Sequence, residues 1–371
     1  MNNSYIWSLP TRLFHGLLVL FILGAYLSAE EERWLLWHAA FGFAVGALLL
    51  FRIVWGFWGP EHSRFADFDL KLSSLKTYML TLLSSKATYA GHNPAASFAV
   101  IGIIAVTLLL VLTGMLTYGV QENRGLFAFL NGTFFKKMEL FEELHEFLGT
   151  LLYLLIGAHI AGVLLDRLLH PSHGTLRSIV SGYKPVEGRS VRLTFVQKTI
   201  AVLGIGLALA TPIYLLTASD TPLTAAHTAA VDFEKVHPLF ANECAACHTL
   251  YPPALLPGRS WRRLMADLEN HFGDDASLEA ADTQSILAYL VANAAEHATS
   301  EAAFKLSASM TNMDIIAVTQ TPFWKKTHRR ITADVFARDA VKSRANCKAC
   351  HSDVERGLLE DTNITIPGER S

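Results

Sequence analysis

Within the first 218 of its 371 residues the chain repeats one feature five times: a mostly apolar run of about the length a helix needs to cross the hydrocarbon core of a bilayer. The runs extend over about 13–29, 35–58, 95–120, 144–169 and 195–218. In lipid a backbone can satisfy its polar groups only as a helix or a closed barrel, so five transmembrane helices are predicted. No such run follows Ala218, where the sequence takes on the texture of a water-facing domain. Composition agrees, because 17% of residues are charged, whereas a soluble domain averages about a quarter. The first run is short enough for a cleaved signal peptide. Four further spans and a histidine in its core, His15, favour a membrane span instead.

Orientation follows from the lysines and arginines of the short loops. Arg12, then Arg52, Arg64, Lys71, Lys76 and Lys86, then Arg167, Arg177, Lys184, Arg189, Arg192 and Lys198 fall on one side. Only Arg33, Arg124, Lys136 and Lys137 fall on the other. The N-terminus is therefore expected in the cytoplasm of a bacterium, with the chain in the inner membrane and everything after Ala218 in the periplasm. From residue 219 onward 15 basic residues face 20 acidic ones, while the formal net charge of the whole chain is -2. That balance excludes a dedicated nucleic-acid binder, which needs a basic excess.

All four cysteines sit in two copies of C-x-x-C-H: Cys244, Cys247 and His248, then Cys347, Cys350 and His351. This is the attachment sequence of c-type haem. Its two thiols can add to the two vinyl groups while the adjacent imidazole reaches the iron. Two C-x-x-C pairs can also build a four-cysteine zinc site, but that leaves the histidine after each second cysteine unexplained. Candidates for the opposite axial ligands are His227, His237, His271, His297 and His328, with Met265, Met310 and Met313. His271 follows a helix-like run, and His328 lies beside the aromatic residues of Pro322-Phe323-Trp324.

The region from Phe240 to Pro367 resembles the dihaem cytochrome c family. The likeness rests on CAACHTLYPPALLPGRSWRRLMADLENHFGDDASL, ILAYLVANAAE, TPFWKKTHRRI and NCKACHSDVERGLLEDTNITIP. It implies bis-histidine haems, with the additional ligands falling on His271 and His328. Which serves which haem stays open.

Ionisable side chains inside a membrane span are costly and usually functional. His145 and His159 are 14 residues apart on one predicted helix, which places them on one face, about 21 Å apart along the axis. By topology His38 is level with His145 toward the periplasm, and His15 with His159 toward the cytoplasm. Two stacked haems would fit these two levels. Isolated histidines can also serve as interhelical hydrogen-bonding groups, but four matched in depth favour ligation. Residues from about Tyr5 to Tyr183 resemble the bacterial cytochrome b561 family, close to the b-type subunits of nickel-iron hydrogenases. PTRLFHGLL, WHAAFGFAVGALLLFRIVWGFWGPEHSRFADF, GHNPAAS and LHEFLGTLLYLLIGAHIAGVLL carry this likeness. It implies a four-helix bundle whose two b haems are held by His15, His38, His145 and His159.

The remaining histidines and arginines are read as follows. His92, just before the third span, is an interfacial residue or a contact to a haem propionate or quinone. His62, His170 and His173 are expected in solvated loops. Arg52, about 21 Å below His38, is level with the inner haem and can pair with a propionate or reach the interface. Arg12 has the same two readings.

The chain is thus expected to be all-α. Residues 1–185 form a transmembrane four-helix bundle with two haems b, 186–218 a linker and fifth helix, and 219–371 a mostly helical periplasmic domain with two haems c. No nucleotide-binding fingerprint, nucleophile elbow or carboxylate cluster suggests other chemistry. The expected function is respiratory electron transfer between membrane quinone and a soluble periplasmic redox protein, mainly as a carrier, in the manner of a quinol–cytochrome c-type oxidoreductase. Two alternatives differ from it: a membrane cytochrome subunit that anchors and wires a larger oxidoreductase, and a terminal reductase acting at a c haem. A homo-oligomer is compatible with each.

Overall fold

A computed structural model describes residues 3–29, 32–83, 88–187, 189–218, 221–310 and 315–368. Lys86 and Met313 lie outside them. The described residues divide into two compact units, one made of Met1–Thr117 with Glu139–Thr224 and the other of Tyr118–Met138 with Ala225–Ser371.

The first unit carries the five helices, and among the described residues all five are long and apolar enough to cross a membrane. They are α1 (Leu9–Ser28), α2 (Leu35–Trp58), α3 (Pro94–Val120), α4 (Leu140–Leu169) and α5 (Phe195–Thr217). Helix α5 opens on a capping box in which Thr194 and Gln197 satisfy each other's backbone N–H groups. It is more than a linker, because Ala201, Ile205 and Ala208 join Leu48, Phe51 and Trp55 of α2 in the buried core. Gly204 makes that approach possible, since a Cβ there would lie 2.5 Å from the Phe51 ring. Helices α1, α2 and α5 pack backbone to backbone, whereas α3 and α4 make no comparably close approach to them. Side chains fill part of the interval, with Ile104 and Val111 of α3 packed against that core. A short antiparallel pairing of Ser4–Tyr5 (β1) with Tyr183–Lys184 (β2) ties the start of α1 to the segment beyond α4.

The second unit is built from short helices and 3-10 turns around Phe240, Leu256, Trp261, Ile286, Leu290, Met310 and Val354. Its helices include α6 (Pro238–Cys244), α7 (Gly258–Met265), α8 (Ala280–Ala292), α9 (Glu301–Ser309) and α10 (Pro322–Thr327). The unit also takes in residues 118–138, the connector between α3 and α4, which the sequence alone places in 1–185. Its attachment is backbone to backbone. The Gly125 N–H donates to Ala225 at 3.0 Å, and the His227 N–H donates to Asn123 at 2.9 Å. Arg124 pairs with Glu360, and the fully buried Lys136 donates to the Thr299 carbonyl.

Beside that pairing, Glu122, Glu301 and Asp361 bring carboxylate oxygens within 4.8 Å of one another. Burial first, and then Glu301 and Asp361, lift the Glu122 carboxyl well above the usual range. A carboxyl whose affinity for its proton rises on folding stabilises the fold at low pH and loses that contribution as pH rises through its folded value. Glu122→Gln is therefore expected to match the wild type near pH 5. At about pH 8.5 it should melt roughly 2–4 °C higher, a shift in the range of 1 kcal/mol for a domain of this size. Thermal melts of the detergent-purified protein at both pH values check this.

Candidate haem-binding sites

In the C-terminal unit each C-x-x-C-H histidine faces a second histidine. The ring centres of His248 and His271 are 6.1 Å apart, with planes 17° from parallel. Those of His351 and His328 are also 6.1 Å apart, at 55°. A metal held between two imidazole nitrogens at about 2 Å each puts the ring centres about 6 Å apart, so each gap has the width of one metal ion. In the structure His271 lies opposite His248, and His328 opposite His351. Backbone carbonyls orient the rings. The Thr249 carbonyl lies 2.7 Å from His248 Nδ1, and the Trp324 carbonyl 3.0 Å from His328 Nδ1. An Nδ1–H donated to a carbonyl leaves the Nε2 lone pair for a metal, the usual way a ligating histidine is fixed.

Local structure explains these placements. Helix α6 ends on Cys244, so Cys247 and His248 lie in the turn beyond it, and Cys347 opens a 3-10 turn ending at Ala349. Trp324 of α10 stacks on His328 at 4.4 Å and 13°. Burial raises the Cys244 thiol to about 11 and also raises Cys347. Among the described residues the four cysteines form no common cluster, as a shared zinc site would require. The other ligand candidates have different surroundings. His237 caps α6 by accepting from the Phe240 N–H at 3.0 Å. Met265 and Met310 are core residues, while His227 and His297 are exposed.

The membrane unit repeats the pattern. His38 of α2 and His145 of α4 have ring centres 6.0 Å apart, at 81°. Their Nδ1 atoms meet the carbonyls of Ala25 at 2.8 Å and Leu110 at 3.1 Å. His15 and His159 face a common cavity of about 860 Å³, within the size range of ligand pockets. Arg52 lines it as well. Its guanidinium is buried under the Phe65 ring at 4.8 Å, and Nη1 has no hydrogen-bond partner. A buried donor without an acceptor suits the carboxylate of a haem propionate. His92 lines the same cavity between Trp7 and Phe68, and burial, followed by Arg52 and Lys184, pulls its pKa down to about 3. Arg12 is not among the cavity residues, and its Nη1 donates to the Val180 carbonyl. The sequence expectation for His170 and His173 needs correction, because their side chains are only 16% and 13% exposed. His62 Nε2 is buried too.

Comparison with known proteins gives this geometry its family. Residues 6–182 match the family Prokaryotic cytochrome b561, and residues 240–359 match Dihaem cytochrome c. The C-terminal part of the chain belongs to the dihaem cytochrome c family, and the part before it matches the b561 family model. The b561 part is similar to a Probable Ni/Fe-hydrogenase B-type cytochrome subunit of Cupriavidus necator, 28% identical over 155 residues. That match takes in 34% of this chain and 62% of the relative, so the chain spans about three fifths of the relative's length. The dihaem cytochrome c part is similar to the diheme cytochrome c of Rhodobacter sphaeroides, with 42% identity and a TM-score of 0.31, covering 35% of this chain and 99% of that one. A diheme cytochrome type c of Shewanella baltica is 33% identical with a TM-score of 0.29, covering 35% and 92% respectively.

Three contributors to the b561 sites escape a reading by residue type. The Ala25 and Leu110 carbonyls leave no trace in side-chain chemistry. Gly114 leaves a faint one, as a glycine inside an apolar run. A Cβ at 114 would lie 2.8 Å from the His145 ring, so the imidazole keeps its place only because this position is bare. Gly114→Ala is expected to displace His145 and lower b-haem content by about half, with c-haem content unchanged. Alkaline pyridine spectra measure both. In the dihaem cytochrome c part, His271→Ala should convert one c haem to a form that binds carbon monoxide when reduced, without loss of covalent haem.

Proposed function

We propose that the chain carries electrons across the bacterial inner membrane between quinone and a soluble periplasmic acceptor. In this reading His15 with His159 and His38 with His145 hold two haems b. Cys244, Cys247, His248 and His271 hold one haem c, and Cys347, Cys350, His351 and His328 hold the other. Haem iron in such sites supplies one-electron transfer, with its potential set by ligation and burial. One observation carries the reading: histidine pairs spaced for a single metal occur in both the membrane unit and the cytochrome c unit of one polypeptide.

The chain's own residues supply the rest. Carbonyl-oriented imidazoles keep ligand positions fixed, so that little reorganisation accompanies a change of charge. Arg52 offers a compensating positive charge to propionate. His92 is held neutral by its burial, and its Nδ1 has no hydrogen-bond partner. That makes it the best-placed candidate to hydrogen-bond a quinone oxygen, ahead of Arg12. Two backbone pairings support the orientation. Residues 4–5 lie beside 183–184, and residues 123–125 beside 225–227, as five crossings require. The excess of basic residues in the loops on the N-terminal side supports a cytoplasmic N-terminus.

A second arrangement is favoured by the relative whose name describes it as a subunit. The chain would then wire a larger oxidoreductase to the membrane, and a stoichiometric partner should copurify with it. The terminal-reductase alternative needs an open axial position, and each C-x-x-C-H histidine already has an opposing one.

The test uses purified full-length protein in proteoliposomes. Quinol is expected to reduce the c haems, and His159→Ala is expected to slow that reduction at least tenfold while leaving chemically reduced c-haem spectra unchanged. Failure of every tested quinol to reduce them, together with failure of the reduced protein to reduce quinone, overturns the reading.

A further inference from the structure

The end of α4 carries a cluster that the proposed electron route does not use. Asp166 lies one turn before the helix terminus, His170 caps the helix, and His173 closes the 3-10 turn Pro171–His173. Their ligating atoms lie within 4.8 Å of one another. His173 Nδ1 is 3.2 Å from Asp166 Oδ1, and His170 Nδ1 is 3.5 Å from the same oxygen. The two imidazoles stack at 4.5 Å with planes 6° apart, so a shared ion would turn one ring about its side-chain bonds.

Hydrogen bonding alone satisfies this cluster poorly. His173 can donate to Oδ1, but His170 Nδ1 and Asp166 Oδ2 are buried without a hydrogen-bond partner. Asp166 itself is 8% exposed. Lys184, a cation lining the same cavity, donates one ammonium N–H to the Tyr89 carbonyl at 2.6 Å, and its charge also acts on Asp166, whose Oδ2 it leaves without a hydrogen bond. A buried carboxylate oxygen and a buried imidazole nitrogen left over in one spot call for a cation. The spacing suits one: atoms that bind zinc tetrahedrally at about 2.0–2.1 Å lie about 3.3–3.4 Å from each other.

We propose that Asp166, His170 and His173 form a binding site for a divalent transition-metal ion of the zinc class. Two imidazoles and one carboxylate make a donor set of intermediate softness, suited to zinc and its neighbours and unlike the all-oxygen cages of calcium or magnesium. The backbone assembles the site in advance. The His170 N–H donates to Asp166 at 2.8 Å, the His173 N–H donates to His170 at 3.0 Å, and Gly174 takes φ +63° to turn the chain away. All three residues line the cavity that contains His15, His159 and His92. Three protein ligands leave a fourth position open, the arrangement of an exchangeable site. The proposal does not depend on quinone being the substrate.

The test uses haem-loaded full-length protein in detergent, stripped with a chelator and titrated with zinc alone against a chromophoric competitor. Wild type is expected to bind one more zinc per chain than His170→Ala/His173→Ala. Asp166→Asn should weaken that site about 10–100-fold, as losses of metal-site groups commonly do. Pyridine spectra establish that each variant retains its haems. Equal zinc content and affinity in wild type and double variant overturn the proposal. If the double variant loses haem, zinc-edge absorption on the wild type decides instead. Two nitrogen and one or two oxygen neighbours at about 2.0–2.1 Å support the site, and a fully hydrated ion refutes it.

Discussion

A buried imidazole must place two nitrogens, and in this chain the protein provides for one of them. The Ala25, Leu110, Thr249 and Trp324 carbonyls each take up an Nδ1, which leaves Nε2 without a backbone or side-chain claim. Three times the opposing ring stops about 6 Å away. Arg52 sharpens the point, since a buried guanidinium nitrogen without an acceptor is expensive unless something arrives to pair with it.

Much of this could be read from the residues. Apolar run lengths located all five long apolar helices to within a few residues, because about 20 consecutive apolar residues are a helix-length signal and far exceed a barrel strand. The 14-residue spacing of His145 and His159 puts them on one helix, where the structure also has them. C-x-x-C-H singles out four cysteines and two histidines by chemistry that few other sites require. Pairing in three dimensions was less accessible. His271 and His328 are comparable in sequence, and only the fold sets His271 against His248. His170 and His173 follow a helix end and look solvated in the sequence. Their burial depends on elements far away, including the strand that brings in Lys184. The role of α5 was also hidden, because a helix that pads α2 and a helix that merely links two domains have the same apolar composition.

The two units manage their electrostatics differently. In the b561 part the charged groups, Arg52 and Asp166, border a cavity, where they are available to whatever occupies it. In the C-terminal unit the two cations of the connector find partners within the protein, Arg124 in Glu360 and Lys136 in the Thr299 carbonyl, while Glu122 lies among two other carboxylates.

That pairing has a consequence for biosynthesis. The dihaem cytochrome c body is discontinuous in the chain, because residues 118–138 belong to it although α4 and α5 intervene before the rest begins. Those residues leave the ribosome well before Ala225, and the connector must wait through the insertion of two more membrane helices for its partners. Until then its edge at Asn123 and Gly125 is unpaired and Arg124 lacks its carboxylate. In the proposed topology, completion of the C-terminal body therefore requires that the two helices after the connector, α4 and α5, both cross. A chain in which only one of them crossed would strand the connector on the opposite face from the domain it completes.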